Sequence, residues 1–298
     1  MPYICYKEKR FNGSSRNIID HSNAIIQDMR NQGFTLTLRQ LYYQLVSRNI
    51  VPNTELSYKR VGNIINEARL AGEVDWTAIE DRTRNIRSPS HWDTPADIID
   101  TCVASYAIDK WDGQPCRPEV WIEKDALVGV IDGICRELDI SYFSCRGYTS
   151  QSEMWSAAQR LDRVAANTGA TPIIIHLGDH DPSGKDMTRD IEDRLRLFMT
   201  GDFEMNRIAL TMDQIEEHDP PPNPAKTTDS RYKNYMEEFG EDSWELDALT
   251  PNMIVGLIRS TVAAYRKDDM YDARVELQER GRDYLRGVRD RAKKKKFK

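Results

Sequence analysis

The fold is decided by the stretch Ile173-Ile-Ile-His-Leu-Gly-Asp-His-Asp-Pro-Ser-Gly-Lys185, in which an apolar run meets a turn. A short run rich in β-branched residues is typical of a parallel strand buried on both faces. Gly178 and Pro182 end this predicted strand. Ser183 is predicted to cap the following helix, with Asp186 in the capping-box position. The stretch therefore predicts a strand–loop–helix unit of an α/β fold.

Two aspartates, Asp179 and Asp181, lie on the loop of this predicted unit, just after the carboxyl end of the strand. Open α/β sheets bind their ligands at this position. Two carboxylates held so close repel each other unless a cation or a shared proton lies between them. Because Mg²⁺ prefers oxygen ligands, the loop predicts a magnesium site.

Length and composition are those of a globular protein with about two domains. The chain has 298 residues, of which 39% are hydrophobic and 30% are charged. No apolar run approaches the roughly 20 residues of a membrane span, and the charged first residues predict no secretory signal. The cysteines are odd in number and form no Cys-x-x-Cys pair. This favours a reducing cytoplasm over a disulfide framework or a zinc site.

The distribution of charge along the chain says more than the formal net charge of −6. Residues 1–90 carry thirteen Lys and Arg against nine Asp and Glu, and the run from Arg280 carries ten against two. Residues 201–260 carry five against thirteen. Basic ends that flank an acidic part can bind a polyanion locally. An ordinary solvated surface and tail is the alternative interpretation.

The amino-terminal part predicts a winged helix-turn-helix. Helices are expected over residues 14–31, 37–48 and 58–70. Thr37 and Gln40 form a capping box for the second helix, and Ser57 is the predicted cap of the third. Residues 73–79 are predicted to form a β-wing. Basic side chains on the third helix and after the wing suit phosphate contacts more than base readout; they are Lys59, Arg60, Arg69, Arg82, Arg84 and Arg87.

From Glu119 onward, short apolar runs alternate with amphipathic stretches. Strands are expected at residues 119–122, 140–144, 173–177 and 207–210, and helices over 126–138, 150–167 and 185–199. This alternation predicts an α/β fold class with a mostly parallel sheet, behind an α-rich N-terminal domain. Right-handed crossovers align the carboxyl ends of parallel strands at one edge. Glu123, which follows the first strand, is therefore expected near Asp179 and Asp181.

The second predicted helix carries two adjacent tyrosines that face different ways. Tyr42 lies on a stripe of apolar residues spaced three and four apart, which predicts a core position. Tyr43 points about 150° away from that stripe, at roughly 100° per residue, and is predicted to face solvent or a partner. Arg39 lies one turn before Tyr43, where its guanidinium would favour the phenolate and bind a phosphate. An ordinary exposed tyrosine stacked on an arginine is the alternative.

These motifs resemble those of the A subunit of type IIB topoisomerases (topoisomerase VI) and of the related meiotic double-strand-break proteins. The segment Arg39-x-x-Tyr42-Tyr43 is similar to the tyrosine-bearing winged-helix domain of that family. Glu123, with Lys124 and Asp125 after it, and the Asp179-His-Asp181 loop resemble its Toprim domain, which is marked by a strand-end Glu and an Asp-x-Asp loop. The resemblance covers roughly residues 15–215. The chain is short for the family and looks like its compact orphan A-subunit-like members.

The resemblance implies four segments along the chain. They are a winged-helix domain over residues 1–95, a linker helix and turn over 96–118, a Toprim domain over 119–215, and a helical C-terminal extension with a basic tail over 216–298. Within the extension, helices are expected over residues 243–249 and 252–264 and from Ala273 onward. The sequence assigns no role to residues 226–231 and 244–249.

By the same resemblance, the chain cleaves double-stranded DNA. Tyr43 would form a 5′-phosphotyrosyl link while Arg39 steadies the phosphate. Glu123, Asp179 and Asp181 would hold Mg²⁺, for which Mn²⁺ can substitute. In this family the tyrosine of one protomer works with the metal site of the other, which implies a homodimer. Strand passage would need a separate ATPase subunit, and the place of action would be cytoplasmic, on the nucleoid or in the host cytoplasm of a phage.

Two other functions remain open on the sequence alone. A Toprim nuclease would cleave DNA with metal-activated water, and Tyr43 would then only bind the substrate. A non-catalytic DNA-binding protein would keep the fold without the chemistry. The complete set of Glu123, Asp179 and Asp181 speaks against this last interpretation.

Overall fold

The computed structural model describes residues 3–79, 89–225 and 227–294. The α-helices are α1 (Gly13–Asn31), α2 (Leu38–Ser47), α3 (Glu55–Leu70), α4 (Pro95–Ser105), α5 (Val128–Glu137), α6 (Gln151–Thr168), α7 (Pro182–Phe198), α8 (Met212–His218), α9 (Tyr232–Phe239), α10 (Pro251–Tyr265) and α11 (Asp268–Lys294). The strands are β1 (Cys116–Ile122), β2 (Ser141–Ser144), β3 (Thr171–Leu177), β4 (Glu204–Ala209), β5 (Asn223–Pro224) and β6 (Asp242–Ser243). Short 3-10 helices cover Asp125–Leu127 and Leu246–Ala248. None of the described helices is both long and apolar enough to cross a membrane.

Helices α1, α2 and α3 pack around one apolar core in the N-terminal part of the chain. The predicted capping box of α2 is confirmed, because the side chains of Thr37 and Gln40 each accept a hydrogen bond from the other's backbone N–H. Helix α3 begins at Glu55, before the predicted start. Its cap is Thr54 and not Ser57, because the Thr54 hydroxyl accepts a hydrogen bond from the Ser57 backbone N–H at 3.1 Å.

The segment after α3 forms turns where the sequence predicts a β-wing. Residues 73–79 contain a single parallel bridge, between Leu36 and Ile79, and no strand. The segment is held to α1 by an ion pair in which Arg30 Nη1 donates to Asp75 Oδ2 at 2.7 Å. The basic residues expected beyond it, Arg82, Arg84 and Arg87, lie outside the described residues.

The second half of the chain forms a four-stranded sheet in the order β2-β1-β3-β4, with all neighbours parallel. Alternate residues of β3 point to opposite faces: Ile175 packs with α5 and α10, and Ile174 packs with α6 and α7. The predicted α/β fold class with a mostly parallel sheet behind an α-rich N-terminal part is therefore confirmed. Strand β1 begins at Cys116, before the predicted start at Glu119. The turn predicted over residues 111–118 is therefore shorter than expected.

The C-terminal extension agrees with the sequence prediction only in part. Helix α10 is confirmed, whereas residues 243–249 form the end of β6 and a 3-10 turn in place of the predicted helix. Helix α11 begins at Asp268, earlier than Ala273, and lies along α4, where Arg289 Nη1 is 2.8 Å from Asp100 Oδ1. The predicted linker helix therefore supports the last helix of the chain. The predicted domain boundaries themselves stay predictions.

Candidate active site

Adjacent parallel strands bring Glu123 and Asp179 together. Ile122 pairs with Leu177 at the carboxyl ends of β1 and β3. The next residue, Glu123, places its Oε2 atom where it accepts a hydrogen bond from the Asp179 backbone N–H at 2.9 Å. The expectation that Glu123 lies at the same sheet edge as the Asp-x-Asp loop is confirmed, since strand order makes the two ends neighbours.

Asp181 is the N-cap of α7, a role that the sequence analysis wrongly gave to Ser183. Asp181 Oδ1 accepts hydrogen bonds from Gly184 N at 2.6 Å and from Ser183 Oγ at 3.0 Å. Pro182 therefore occupies the first helical position, where its missing N–H costs nothing. Gly184 is required here, because a Cβ atom on it would lie 2.3 Å from the Asp179 carbonyl oxygen.

The carboxylates at the sheet edge repel each other in a place with little water. Burial raises the pKa of Glu123, and the negative charge of Asp179 raises it further. Burial also raises the pKa of Asp179, while the Lys124 ammonium opposes this shift. A carboxylate pair with raised pKa values is one that an additional cation would stabilise in its charged form.

Two carboxylates from residues 244–249, a segment to which the sequence assigns no role, complete the acidic cluster. Lys124 Nζ lies 2.9 Å from Asp179 Oδ1, 2.7 Å from Glu245 Oε2 and 3.6 Å from Asp247 Oδ2. Leu246 N donates a hydrogen bond to Asp179 Oδ1 at 2.8 Å, which fixes the segment against the loop. The alternation Glu245-Leu246-Asp247, with the same spacing as the Asp-x-Asp loop, is the signal that points to these residues.

Arg39 and Tyr43 reach this cluster from α2. Arg39 Nη2 lies 2.6 Å from Glu245 Oε2, and its Nε lies 2.8 Å from Asp247 Oδ2. The Arg39 guanidinium is 5.7 Å from the centre of the Tyr43 ring, as neighbours one turn apart should be. Tyr42 is 3% exposed, so its predicted core position is confirmed.

Of the two alternatives predicted for Tyr43, solvent or a partner, the first is wrong. Tyr43 is only 6% exposed, because its ring packs with the helical core beside Tyr42 while α2 also contacts the short 3-10 helix Leu246–Ala248. Burial raises the pKa of the Tyr43 hydroxyl, and a hydrogen bond to Glu245 raises it further, whereas Arg39 lowers it. The expected activation of the phenolate by Arg39 is therefore outweighed in this arrangement.

The Arg207 guanidinium stabilises the Asp-x-Asp loop through hydrogen bonds to backbone carbonyl oxygens. Arg207 Nη2 donates to the carbonyl oxygens of Gly178 at 3.1 Å and Asp179 at 2.6 Å, and Nη1 donates to the carbonyl oxygen of Gly184 at 3.0 Å. Arg207 projects from β4, beside β3. The sequence gives no sign of this role, because it depends on the pairing of two strands.

The nucleophile candidate and the aspartates line a single cleft of about 520 Å³. Its walls include Arg39, Tyr43, Tyr58, Asp179, Asp181 and Glu245. A tyrosine hydroxyl, a guanidinium and several carboxylates therefore lie within one cavity of one chain. Such a set is suited to binding a phosphate and to transferring it.

The basic residues predicted to contact DNA differ in their availability. Lys59 and Arg60 are exposed on α3, where Lys59 pairs with Glu55 and Arg60 donates to Ser14 Oγ. Arg69 is half-buried: it donates to the Trp76 carbonyl oxygen at 2.7 Å and stacks on the Trp76 ring. Its guanidinium thus stabilises the turn after α3, and of these three residues only Lys59 and Arg60 are exposed.

The donor chemistry at the sheet edge fits a hard divalent cation. Within the described part of the chain, the hydrogen bonds of Glu123, Asp179 and Asp181 each use one carboxylate oxygen and leave the other to a ligand. His180 turns away, with its Nδ1 2.8 Å from the Tyr235 hydroxyl. No group of three His, Cys, Asp or Glu side chains among the described residues is already arranged around a metal position. Metal binding would therefore draw the free oxygens together.

No protein-family model and no curated protein matches the chain.

Proposed function

We propose that this chain cleaves double-stranded DNA by Mg²⁺-dependent transesterification, with Tyr43 as the nucleophile. The observation that carries the proposal is the shared cleft, in which Tyr43 and Arg39 from α2 face Asp179 and Asp181 from the sheet edge. A nucleophile, a cation that binds phosphate and a set of oxygen ligands are the parts that phosphoryl transfer requires. The order of the parts along the chain supports a tyrosine-bearing helical domain followed by a Toprim domain, although residues 73–79 form turns in place of the predicted β-wing.

The proposed step exchanges one phosphodiester for another. The Tyr43 hydroxyl oxygen attacks a DNA phosphorus and forms a new P–O bond, while its proton passes to solvent. The bond from phosphorus to the deoxyribose 3′-oxygen breaks, and that oxygen leaves with the electron pair and takes a proton from water. The product is a 5′-phosphotyrosyl link and a free 3′-hydroxyl. Arg39 orients the phosphate, because a guanidinium fork matches two of its oxygens.

Glu123, Asp179 and Asp181 are the residues that would hold Mg²⁺, with Mn²⁺ as a substitute. A bound divalent ion supplies charge stabilisation to the phosphate and to the leaving oxygen. The protein's own contribution is to hold the carboxylates close together in a poorly solvated place, where their pKa values are raised for Glu123 and Asp179.

The proposed partners are double-stranded DNA, a second copy of the chain and, for strand passage, a separate ATPase subunit. Exposed Lys59 and Arg60 on α3 are the described residues best placed for backbone contacts. In this arrangement Tyr43 meets the carboxylates of its own chain. A homodimer with composite sites would therefore require α2 to leave this cleft and enter the cleft of the partner.

The test is a covalent adduct between protein and DNA. The protein is incubated with supercoiled plasmid and Mg²⁺, and the reaction is stopped with denaturant. We expect nicked or linear plasmid that stays attached to protein, and we expect Tyr43→Phe to abolish it. Tyr58→Phe is the matched control, because Tyr58 lines the same cleft and should keep the adduct. Wild-type cleavage by Tyr43→Phe would refute Tyr43 as the nucleophile.

A nuclease that uses metal-bound water is the second candidate, and one observation favours it. Burial and the hydrogen bond to Glu245 raise the pKa of Tyr43, which keeps its hydroxyl protonated. This function predicts the same dependence on Asp179 and Asp181 but product ends that are free of protein. If no divalent ion supports cleavage, a non-catalytic DNA-binding protein replaces both candidates.

A further inference from the structure

Arg39 and Lys124, the two cations that contact Glu245 among the described residues, are bound by carboxylates of the chain itself. Arg39 donates to Glu245 and Asp247 at 2.6 and 2.8 Å. Lys124 contacts Glu245 at 2.7 Å and Asp247 at 3.6 Å. The two carboxylates come from one short segment, and the two cations come from α2 and from the end of β1. Glu245 Oε2 is thus shared between the two positive charges.

A carboxylate and a phosphate present similar oxygens to a guanidinium. Both accept hydrogen bonds from an arginine fork, and both attract an ammonium group. The space between Arg39 and Lys124 is therefore suited to a phosphate, and Glu245 and Asp247 now fill it. Glu245 lies on the wall of the open cleft, where a ligand can reach it.

The internal arrangement leaves one polar atom unsatisfied. Asp247 is 3% exposed, and its Oδ1 atom is buried without a hydrogen-bond partner among the described residues. An unpaired buried acceptor destabilises the arrangement that leaves it unpaired. The charge of Glu245 also raises the pKa of the neighbouring Tyr43 hydroxyl, so one carboxylate acts on the arginine, the lysine and the tyrosine together. A competing anion can therefore replace Glu245 in these contacts.

We propose that Glu245 and Asp247 occupy the phosphate position between Arg39 and Lys124 in the DNA-free chain, and that a DNA phosphate displaces Glu245 from it. The inference rests on the proposed function, because it names the phosphate subsite of that same cleft. Displacement exchanges ionic partners and breaks no covalent bond. It frees the Tyr43 hydroxyl from Glu245, so substrate binding and release of the tyrosine are one event.

The first test compares two variants that each remove one negative charge. Glu245→Gln weakens the internal competitor. Glu137→Gln is the matched control, because Glu137 forms an exposed pair with Arg259 away from the cleft. Affinity for a fluorescein-labelled DNA duplex is measured by anisotropy without divalent ions. We expect Glu245→Gln to lower Kd by about fivefold or more, as loss of a competing ion pair worth about 1 kcal/mol predicts. The control should change Kd by less than about twofold.

A purely structural role for Glu245 gives the opposite result. Unchanged or weaker DNA binding by Glu245→Gln, relative to Glu137→Gln, overturns the proposal. If Glu245→Gln does not fold, Glu245→Asp keeps the charge but withdraws the carboxylate from Arg39, and we expect tighter DNA binding than wild type. Binding by Glu245→Asp that is no tighter than wild type overturns the proposal equally.

A second probe separates this inference from the proposed function. Inorganic phosphate should raise the thermal midpoint of Glu245→Gln more than that of wild type or Glu137→Gln. If no form of the protein binds the duplex, DNA as the substrate is wrong, but the phosphate measurement still decides the subsite. Equal phosphate stabilisation of all three proteins would show that Glu245 does not compete with an anion.

Discussion

Asp75 and Glu123 are both carboxylates largely removed from water, but only Asp75 meets enough positive charge. Asp75 accepts hydrogen bonds from Arg30 Nη1 at 2.7 Å and from the backbone N–H and hydroxyl of Thr77, both at 2.8 Å. The Arg30 hydrogen bond holds the pKa of Asp75 at about 2. Glu123 instead lies beside Asp179, and burial and this neighbour raise its pKa. Asp75 therefore stabilises the fold, whereas Glu123 is held beside Asp179 although the two negative charges repel each other.

This difference teaches how to recognise a site from the structure itself. A paired buried carboxylate is explained by the fold that it stabilises. A repelling pair at the carboxyl edge of a parallel sheet costs free energy of folding, and such groups cluster at functional sites. The cleft that contains Tyr43 is lined by Asp179, one member of such a repelling pair. This cleft is therefore the candidate active site.

The largest expected effect comes from removing the charge of Asp75. Asp75→Asn removes a fully buried negative charge that Arg30 Nη1 binds at 2.7 Å, so it should lower the free energy of unfolding by about 3 kcal/mol. Urea denaturation at neutral pH measures this change. A loss below about 1 kcal/mol would mean that the pair does not stabilise the N-terminal part.

Arg207→Lys tests the support beneath the site. A lysine ammonium cannot reach the carbonyl oxygens of Gly178, Asp179 and Gly184 together, so the free energy of unfolding should fall by about 2 kcal/mol. Mg²⁺ should then raise the thermal midpoint less than in wild type, because the Asp-x-Asp loop is less well fixed. Arg259→Lys, in the exposed pair with Glu137, is the control and should change neither quantity. If Mg²⁺ stabilises Arg207→Lys as much as wild type, Arg207 does not support metal binding by the loop.

Glu123→Gln should have the opposite sign to Asp75→Asn, although both remove one negative charge. Gln can still accept the Asp179 N–H hydrogen bond, and the repulsion disappears, so the metal-free protein should become more stable by about 1 kcal/mol. The same variant should lose stabilisation by Mg²⁺. Thermal melts with and without Mg²⁺ measure both effects, and destabilisation of the metal-free variant would contradict the comparison.

The comparison also predicts a pair of opposite pH dependences in the metal-free protein. Folded Asp75 binds its proton more weakly than the unfolded chain does, so its contribution is present above about pH 4 and is lost as the pH falls towards 2. Folded Glu123 binds its proton more tightly. Its penalty is therefore absent below about pH 4 and grows as the pH rises towards its raised pKa. Differences between wild type and each variant in urea denaturation report these slopes, and a pH-independent difference for Glu123→Gln would contradict the second.

Features that depend on local periodicity or on the ends of strands could be predicted from the sequence. The apolar run of β3, the core position of Tyr42 and the meeting of Glu123 with Asp179 follow from patterns within a few residues and from the geometry of parallel strands. The cap at Asp181 was also within reach, because Pro182 favours the first helical position and so places the cap one residue before it.

The remaining features depend on contacts between distant parts of the chain. Tyr43 was expected at the surface because an amphipathic stripe identifies one buried face only, and the opposite face of α2 is covered by the segment of Glu245 and Asp247. The path of the chain after the prolines at 220–224 brings this segment to the sheet edge. No local pattern fixes that path, so Glu245 and Asp247 were missed.

The most direct measurement of the central claim is mass spectrometry of the trapped reaction. Protein is incubated with plasmid and Mg²⁺, denatured, treated with nuclease and digested to peptides. The account predicts a nucleotide phosphate attached to the peptide that contains Tyr43, and its absence when Glu123→Gln or Tyr43→Phe replaces the wild-type protein. Cleaved DNA whose ends carry no peptide, or a nucleotide attached to a different tyrosine, would contradict the account.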